Sequence, residues 1–454
     1  MKVGKLKQRV EKRIGSSTLW METGELAKQA AGSCLIGYGE TVVLSATATG
    51  PPRPGIDFFP LTCDYRERVA AAGKFPGGFL KREGRPTTKE TLTARLIDRP
   101  IRPSFPDWFH DEVQIQAFVM ASDRQSDGDV LAMNGASASL LLAPLPFQGP
   151  IGSVRLGYIA GEFVPFPTQD ELEESDLDLI VSGTKDVVLM IEGFARELPE
   201  ALMAEAITTA HGFIREICEL QEELVAKVQP VKKEYVVPEP DTLLDSLAGK
   251  YMAALKEAQR TEGKQARAEA VALLKERVVA ETIPDPLAEG AVAAAALDKA
   301  WHDLERRAVR ELILAGTRPD GRGAKALRQI DCKVDLLPRV HGSAVFQRGE
   351  TQVLNVLTLG MPRMDQLLDT LGLQTKKRYM HHYNMPPYAN GETGRMGGTK
   401  RREVGHGMLA ERALLPLVPS LEEFPYALRL VSEVMSSNGS TSMADCRLAR
   451  LPET

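Results

Sequence analysis

Cysteines are few in this sequence of 454 residues, and they are scattered along it. The five are Cys34, Cys63, Cys218, Cys332 and Cys446. Their number is odd and none belongs to a CxxC pair, which argues against a disulfide framework and against a structural zinc site. Such a sequence suits a reducing compartment, so we expect a cytoplasmic protein.

Long apolar segments are also absent. No apolar run reaches the roughly 18–20 residues that a membrane-spanning helix needs, so no membrane partner is expected. The N-terminal segment MKVGKLKQRVEKRIG contains no apolar core, and we therefore expect no signal peptide.

Two familiar sequence motifs for catalytic sites are missing as well. Neither residues 73–74 nor residues 398–400 complete the GxxxxGK[ST] pattern of a Walker A loop, which argues against an NTPase. His381, His382 and His406 suggest a metal site, but no HExxH motif is present. The side chains of two adjacent histidines point in different directions, so we assign no metal ligand in this sequence.

Charge and composition are those of a globular protein without a global basic field. Hydrophobic residues make up 43% of the chain and charged residues 26%, and the net charge is −5. Any nucleic-acid site must therefore be a local basic patch. The length suggests about three domains.

The distribution of residue types predicts an α+β protein in which two mixed domains flank an all-α insert. A β-rich first domain occupies residues 1–235, and a linker with two prolines opens the insert at residues 236–315. Within the insert we expect helices over about 241–281 and 287–315, and we interpret the insert as a plain helical spacer. The β-rich pattern returns in residues 316–444, and a short tail, residues 445–454, follows.

An internal repeat relates the two β-rich domains. Residues 32–52, GSCLIGYGETVVLSATATGPP, match residues 342–362, GSAVFQRGETQVLNVLTLGMP. Two shorter matches follow in the same order, 77–83 with 397–403 and 134–137 with 438–441. We therefore expect two copies of one core, of which the second is incomplete.

Two basic stretches and one hydroxyl-rich turn are the candidate anion sites. Residues 74–102 and 376–412 each contain eight basic and three acidic residues. Their glycines allow backbone N–H groups to approach a phosphate, and Phe79 could stack on a base. The segment SSNGSTS at 436–442 has the pattern of a helix N-terminus, where phosphate binding and ordinary helix capping are equally good interpretations. Solvated charged loops are the alternative for the basic stretches, and their recurrence favours anion binding.

Five motifs in this order resemble bacterial polynucleotide phosphorylase: GGFLKREGRPTTKETLTARLIDRPIRP, GTRPDGR, HHYNMPPY, KRREVGHG and SSNGSTSMA. The resemblance implies two RNase PH-like cores joined by a helical domain, followed in the family by KH and OB-fold domains. It also implies a ring-shaped homotrimer, possible association with RNA-degradation machinery, and a requirement for Mg²⁺. The implied reaction is 3′-to-5′ phosphorolysis of single-stranded RNA, which uses inorganic phosphate, releases nucleoside diphosphates and runs in reverse as polymerisation.

The resemblance also implies roles for individual residues. Thr441 and Ser442 would hold the attacking phosphate, and Arg401, Arg402 and His406 would line the same site. Contacts to RNA are implied for Phe79, Lys81, Arg82, Arg95, Arg99, Arg102, Arg318 and Arg322.

The loop that narrows the RNA channel in the family departs from the family pattern here. That motif usually has two aromatics and two arginines, whereas this sequence has Phe79, Leu80, Lys81 and Arg82. One stacking surface and one planar guanidinium are lost, so we expect this loop to bind RNA more weakly than the usual family motif does.

The aspartate pair that serves metal and acid functions in the family lies about fifty residues beyond the position of Ser442 and falls outside this sequence. Residues 445–454 also depart from the family pattern, and our hypothesis is a shifted reading frame or a truncated gene model. We therefore expect that residues 1–454 alone release no ADP from poly(A). The alternative function is a non-catalytic RNA-binding or ring-scaffolding fragment.

The first core offers no clear substitute for the missing aspartates. In the register of the family pattern one acid falls on Asp178, but its partner position holds Leu172. A slip of two residues would instead pair Asp170 with Asp176. We expect the first core to be non-catalytic.

Overall fold

The computed structural model describes residues 7–52, 56, 58–237, 242–285, 292–395 and 397–448. The helices are α1 (Thr88–Ile101), α2 (Gly128–Leu142), α3 (Gln169–Glu174), α4 (Glu200–Val228), α5 (Thr242–Ala258), α6 (Lys264–Thr282), α7 (Ala294–Leu314), α8 (Arg401–Leu414) and α9 (Thr441–Leu448). The strands of the N-terminal half are β1 (Gln8–Ile14), β2 (Ser17–Thr23), β3 (Gly32–Tyr38), β4 (Thr41–Gly50), β5 (Leu61–Glu67), β6 (Glu112–Ala121), β7 (Gly152–Ile159), β8 (Glu162–Pro165), β9 (Leu177–Gly183) and β10 (Val188–Ala195). Those of the C-terminal half are β11 (Ile330–Val334), β12 (Gly342–Arg348), β13 (Thr351–Gly360), β14 (Gln366–Leu367), β15 (Lys376–Lys377), β16 (Tyr379–Asn384) and β17 (Ala427–Ser436).

The first core consists of two sheets packed around buried helices. Its strands run in the order β1-β2-β3-β4-β6-β5 in one sheet and β10-β9-β7-β8 in the other. In β4, buried and partly exposed side chains alternate, because one face of the strand packs against α2. α2 is buried along almost its whole length, and one continuous apolar core joins both sheets.

The second core repeats the larger of these sheets. Its strands run in the order β11-β12-β13-β17-β16, with β16 and β17 parallel, as β5 and β6 are in the first core. α8 packs on β16 as α1 packs on β5, and α9 packs on β12 and β13 as α2 packs on β3 and β4. The expected α+β fold with two related cores and a helical unit between them is confirmed.

The repeat of the β-hairpin is confirmed residue by residue. β12 and β13 begin 310 positions after β3 and β4, and each hairpin closes on a Thr, with Tyr38 paired to Thr41 and Arg348 paired to Thr351. Even the irregularity recurs: the ladder to the next strand shifts register after Val42 in one core and after Gln352 in the other.

The two shorter matches of the sequence repeat are wrong. α8 and α9 begin 313 positions after α1 and α2, so Arg402 corresponds to Lys89 and not to Arg82. Asn134 lies inside α2, where its side-chain amide exchanges two hydrogen bonds with the backbone of Ser153, and it therefore forms no turn. Short glycine-containing motifs matched out of register because the intervening loops differ in length.

Two tyrosines support the corrected alignment. Tyr65 and Tyr383 occupy the fifth position of β5 and β16, and both are buried. The hydroxyl of Tyr65 approaches the first residue of α2, Gly128, and the hydroxyl of Tyr383 donates to the first residue of α9, Thr441. Ser442 therefore corresponds to Asp129 in the first core.

The helical unit consists of α5, α6 and α7 around a small apolar core that contains Trp301. The predicted single helix over 241–281 is divided into two, because the chain turns before Gly263, whose φ of 84° suits glycine. The predicted start of the next helix at 287 lies outside the described residues, which resume at 292. Across the described ranges, no helix is both long and apolar enough to cross a membrane.

Candidate functional site

Tyr383 brings the two halves of the candidate phosphate site together. Its buried hydroxyl donates to Thr441 Oγ1 at 2.7 Å, and its ring meets the His406 ring edge-on at a centroid distance of 5.0 Å. His406 lies on α8 and Thr441 begins α9, so the two motifs KRREVGHG and SSNGSTS meet here as the sequence predicted.

Arg402 is the cation that this arrangement leaves available. It lies one helical turn before His406 on α8, and residues four apart share a helix face. Its side chain is exposed and makes no ion pair with any residue that the structure describes. A cation in the first turn of a helix opposes the helix dipole, and a bound anion would relieve that repulsion.

Arg401 does not share this position. Its guanidinium donates to the Cys63 backbone carbonyl at 2.8 Å and to Asp64 Oδ1 at 2.7 Å, both in the first core. Arg401 therefore joins the two cores, and the expectation that it lines the phosphate site is not supported by its geometry.

The two hydroxyls at the start of α9 also differ. Thr441 is 6% exposed, and its oxygen accepts the bond from Tyr383. Ser442, the second residue of α9, is half-buried. Of the two, Ser442 is better placed to meet an anion, while Thr441 is fixed against the core.

Residues 436–440, called here the phosphate turn, are surrounded by cations. Arg328 donates to the Asn438 carbonyl at 2.8 Å, Arg348 to the Ser440 carbonyl at 2.8 Å, and Lys264 to the Ser437 carbonyl at 2.8 Å. These acceptors are neutral, so each bond fixes the turn and adds positive charge next to it. The charge pattern suits the binding of phosphate.

Arg318 and Arg322 belong to the same basic region. Arg322 donates to Asp320 Oδ2 at 2.7 Å, and Arg318 bonds to a carbonyl of the same loop. Burial and the positive charges of Arg322 and Arg318 lower the pKa of Arg328.

Of Arg95, Arg99 and Arg102, which lie in or directly after α1 and were assigned to RNA, Arg95 is the one that approaches the site. A Cβ atom at Gly405 would lie 2.8 Å from Arg95 Nε, so α8 passes close to this side chain only because residue 405 is glycine. Burial and the charges of Arg99 and Arg402, among others, lower the pKa of Arg95, so Arg95 lies within electrostatic reach of Arg402.

Arg99 and Arg102 have structural contacts within the first core instead. Arg99 pairs with Glu192. Arg102 donates to the Phe59 and Leu61 carbonyls at 2.9 and 3.1 Å and pairs with Asp98 at 2.8 Å. The prediction that these two arginines contact RNA gains no support from this geometry.

Residues 77–82, called here the constriction loop, present apolar side chains to solvent. Phe79 is 97% exposed and Leu80 is 83% exposed. The loop is tied to the second core, because the Gly77 amide donates to Asp369 Oδ2 at 2.7 Å. Arg82 lines a cavity of about 250 Å³ between the loop and that core, and Lys81 adopts a φ of 49°.

In the first core, the position of the phosphate site is filled by the protein's own charges. We call Glu67, Lys89, Asp127, Asp129, Arg155 and Asp178 the ion cluster. Lys89 Nζ lies 2.8 Å from Glu67 and 2.9 Å from Asp127, and Arg155 lies 2.9 Å from Asp127 and 3.1 Å from Asp129. Lys89 and Asp129 stand where Arg402 and Ser442 stand in the second core, so a carboxylate replaces a hydroxyl and neutralises the cations that would bind phosphate.

Burial and charge together set the pKa values in the ion cluster. Burial raises the pKa of Asp129 to about 6 although Arg155 lies beside it. Burial acts on Asp127 in the same direction, but the charges of Lys89 and Arg155 outweigh it and lower the pKa of Asp127. The structure therefore keeps Asp127 ionised at neutral pH, whereas Asp129 is largely ionised at pH 7 but takes up a proton at a higher pH than an exposed aspartate does.

We predict that Asp129→Asn changes the pH dependence of stability. A folded-state pKa raised from 3.8 to about 6 means that the folded protein binds more protons than the unfolded chain in that window, so stability falls as pH rises through it. The asparagine side chain stays neutral throughout this range, so the variant does not lose stability in this way as pH rises. In urea unfolding followed by tryptophan fluorescence, the variant should therefore gain about 1–3 kcal/mol on wild type between pH 4 and pH 7. A difference independent of pH, as expected for the control Asp245→Asn in an exposed ion pair, would contradict the prediction.

The carboxylates discussed for metal binding do not form a magnesium site. Asp178 lies 3.0 Å from Arg155 Nε, Asp170 accepts a bond from the Gln125 amide, and Asp176 is half-exposed. Within the described ranges, no group of three or more histidine, cysteine or acidic residues could hold a metal ion. The carboxylates present therefore do not fit Mg²⁺, the ion that the resemblance implies.

Comparison with known families agrees with this architecture. The family model "3' exoribonuclease family, domain 1" matches residues 17–146 and 326–447, one in each core, and together these cover more than half of the chain. The "3' exoribonuclease family, domain 2" model matches residues 149–212. The chain belongs to the 3′ exoribonuclease family.

Within that family, the chain is similar to polyribonucleotide nucleotidyltransferases. Residues 242–323 match the model "Polyribonucleotide nucleotidyltransferase, RNA binding domain", and these residues include the helical unit. A polyribonucleotide nucleotidyltransferase of Rhodopirellula baltica is 59% identical over 96% of this chain and 58% of its own length. Proteins of the same name from Heliobacterium modesticaldum and Roseiflexus sp. are 51% and 48% identical, over 95% and 96% of this chain. The chain spans about three-fifths of the length of these relatives.

Proposed function

We propose that this chain carries the phosphate-binding and RNA-binding parts of a phosphorolytic 3′-to-5′ exoribonuclease, which releases nucleoside diphosphates from single-stranded RNA. The observation that carries the proposal is the contact of Tyr383 with both His406 and Thr441. This contact sets the exposed Arg402 beside the start of α9 in a region of high positive charge. The names of the relatives and the matched families support the same reaction.

The chemistry of phosphorolysis makes clear what such a site must do. An oxygen of inorganic phosphate attacks the phosphorus of the last phosphodiester, and the bond from that phosphorus to the 3′ oxygen of the preceding nucleotide breaks. The products are a nucleoside diphosphate and an RNA shorter by one nucleotide with a free 3′ hydroxyl. Two anions must approach each other, so fixed cations and hydroxyl donors lower the barrier by electrostatic stabilisation and orientation.

In this reaction the residues at the site have distinct tasks. Arg402 and Ser442 hold the attacking phosphate, and Arg402 neutralises charge as the new bond forms. His406 is oriented by its contact with Tyr383 and lies on the same face of α8. Arg95 extends the positive region from the first core, where the end of the RNA would enter.

Calorimetric titration tests the proposal on the chain as it stands. Inorganic phosphate should bind to residues 1–454, and ADP should compete with it, because the product carries a phosphate in the same position. Neither ligand should bind at the ion cluster of the first core. Absence of phosphate binding would contradict the proposal.

The second candidate function is a non-catalytic RNA-binding or ring-scaffolding role. The exposure of Phe79 on an anchored loop supports it, because its ring can stack on a base without any phosphate site. Binding of RNA together with no binding of phosphate or ADP would favour this second function.

We predict that Leu80→Phe tightens binding of single-stranded RNA. A second aromatic side chain next to Phe79 adds a stacking surface worth about 1–3 kcal/mol per base, so affinity for oligo(A) should increase at least several-fold. Fluorescence anisotropy with labelled oligo(A) measures the change. Leu80→Ile is the matched control, since it keeps an exposed apolar side chain without a ring, and equal affinities for the two variants would contradict the prediction.

The remaining expectations from the resemblance also belong to this proposal. We propose a cytoplasmic homotrimer in which three constriction loops surround the RNA, with association to RNA-degradation machinery. The resemblance also implies that the reaction requires Mg²⁺, whose expected aspartate ligands are absent from this sequence. Sedimentation equilibrium measures the oligomeric state of the chain directly, and a monomer at all concentrations would contradict the trimer.

A further inference from the structure

The N-terminus of α6, in the helical unit, contacts the phosphate turn of the second core. The Lys264 ammonium group donates to the Ser437 carbonyl at 2.8 Å, although the two residues are 173 positions apart. The Lys264 backbone amide donates to Glu350 Oε1 at 3.1 Å. One residue of the helical unit thus makes two bonds to the core, one through its side chain and one through its backbone.

Glu350 connects Lys264 to the phosphate turn. Its other carboxylate oxygen accepts from the Asn438 side-chain amide at 2.5 Å, and its backbone carbonyl accepts from the Ser436 hydroxyl at 2.6 Å. Asn438 is held a second time, because its backbone amide donates to Thr351 Oγ1 at 3.1 Å. The hairpin loop at Glu350 is therefore the point at which the helical unit and the phosphate turn are joined.

The electrostatics of the contact favour this geometry. Lys264 is the first residue of α6, where a cation opposes the helix dipole and the free amides favour an anion. The Glu350 carboxylate satisfies one such amide and offsets the lysine charge at the same time. Arg267, one turn further along α6, donates to the Pro319 carbonyl at 3.2 Å and fixes the same end of the helix against the segment that carries Arg318 and Arg322.

We propose that Lys264 and Glu350 are positioning residues of the phosphate site, so that the helical unit sets the conformation of the phosphate turn. This inference rests on the proposed function and deepens it, because it makes phosphate affinity depend on a helix outside the core. The turn leads directly into Thr441 and Ser442, so a shift in the Ser437 and Asn438 backbone moves the hydroxyls that meet the anion. The insert is then part of the site and not a plain spacer.

Phosphate titrations of variants of the chain test the proposal. Lys264→Met keeps the length and apolar stem of the side chain and removes the donor, and it should weaken phosphate binding roughly tenfold, the effect of losing one charge-assisted hydrogen bond. Lys264→Arg keeps a donor and should retain most of the affinity. Glu350→Gln keeps the shape but loses one acceptor, and it should weaken phosphate binding in the same direction. Lys275→Met is the control on the same helix, where the lysine lies about three turns further along and pairs with Asp298 of α7.

Two further measurements separate positioning from general destabilisation. The thermal midpoints of Lys264→Met and Lys275→Met should agree, whereas hydrogen exchange at the Asn438 amide should be faster in Lys264→Met only. Phosphate affinity of Lys264→Met within twofold of wild type would overturn the proposal. If the wild-type chain binds no phosphate, the proposed function fails. Hydrogen exchange then tests the positioning role of Lys264 by itself, and unchanged exchange at the Asn438 amide in Lys264→Met would overturn that role.

Discussion

Arg155→Met is expected to lower the free energy of unfolding of the first core by about 3–5 kcal/mol at pH 7. Arg155 is almost fully buried and lies within about 3 Å of three carboxylates, those of Asp127, Asp129 and Asp178. Methionine fills a similar volume but leaves these acids in a low-dielectric interior with Lys89 as the only cation of the ion cluster. Uncompensated buried charge is among the most destabilising changes a substitution can make.

The loss of stability in Arg155→Met should become smaller as pH falls, which is not expected for a substitution in an exposed ion pair. Without Arg155, the folded-state pKa values of the remaining acids rise, so the folded variant takes up protons and its deficit relative to wild type shrinks as pH falls towards 5. Urea unfolding between pH 5 and pH 8, followed by the fluorescence of Trp20 and Trp108, measures this deficit. Arg277→Met, in an exposed pair with Glu281, should leave the free energy of unfolding almost unchanged at every pH. A small or pH-independent effect of Arg155→Met would show that the cluster is not held together as described.

Arg402→Ala is expected to weaken phosphate binding by one to two orders of magnitude. Arg402 is exposed and lies one turn before His406 on α8, and hydrogen bonds to charged groups contribute about 1.5–3 kcal/mol each. Arg402→Lys should recover part of the affinity, because the ammonium keeps the charge without the planar fork. Calorimetry with inorganic phosphate measures both.

The matched control is Arg412→Ala, in the last turn of the same helix. It removes an equal charge at the far end of α8 and should leave phosphate affinity within about twofold. Equal losses in the two variants would indicate a general electrostatic effect and would contradict a specific role for Arg402.

Local patterns were sufficient to predict the repeated hairpin. Alternation of apolar residues and the Gly-Glu-Thr turn lie within about twenty residues, so their register is set locally and the offset of 310 is preserved in the structure. The offset of 313 between the helices could not be obtained in this way, because the loops that precede them have different lengths.

The sequence motif alone could not show that Arg401 and Arg402 have different roles. Successive side chains on a helix point about 100° apart, so one of the pair faces the first core and the other faces the site. Lys264, Arg328 and Arg348 were missed for a related reason. They bond to the phosphate turn from positions 92 to 173 residues earlier in the chain, and only the fold brings them there.

Among the described residues we propose one anion site, in the second core, and we propose that carboxylates of the first core fill the equivalent position there. A crystal structure of the chain with arsenate, a phosphate analogue with a strong anomalous signal, tests this most directly. We expect an arsenic peak between the Arg402 guanidinium and the N-terminus of α9, within hydrogen-bond distance of Ser442, and no peak at Lys89 and Arg155. A peak at the ion cluster, or none beside Arg402, would contradict it.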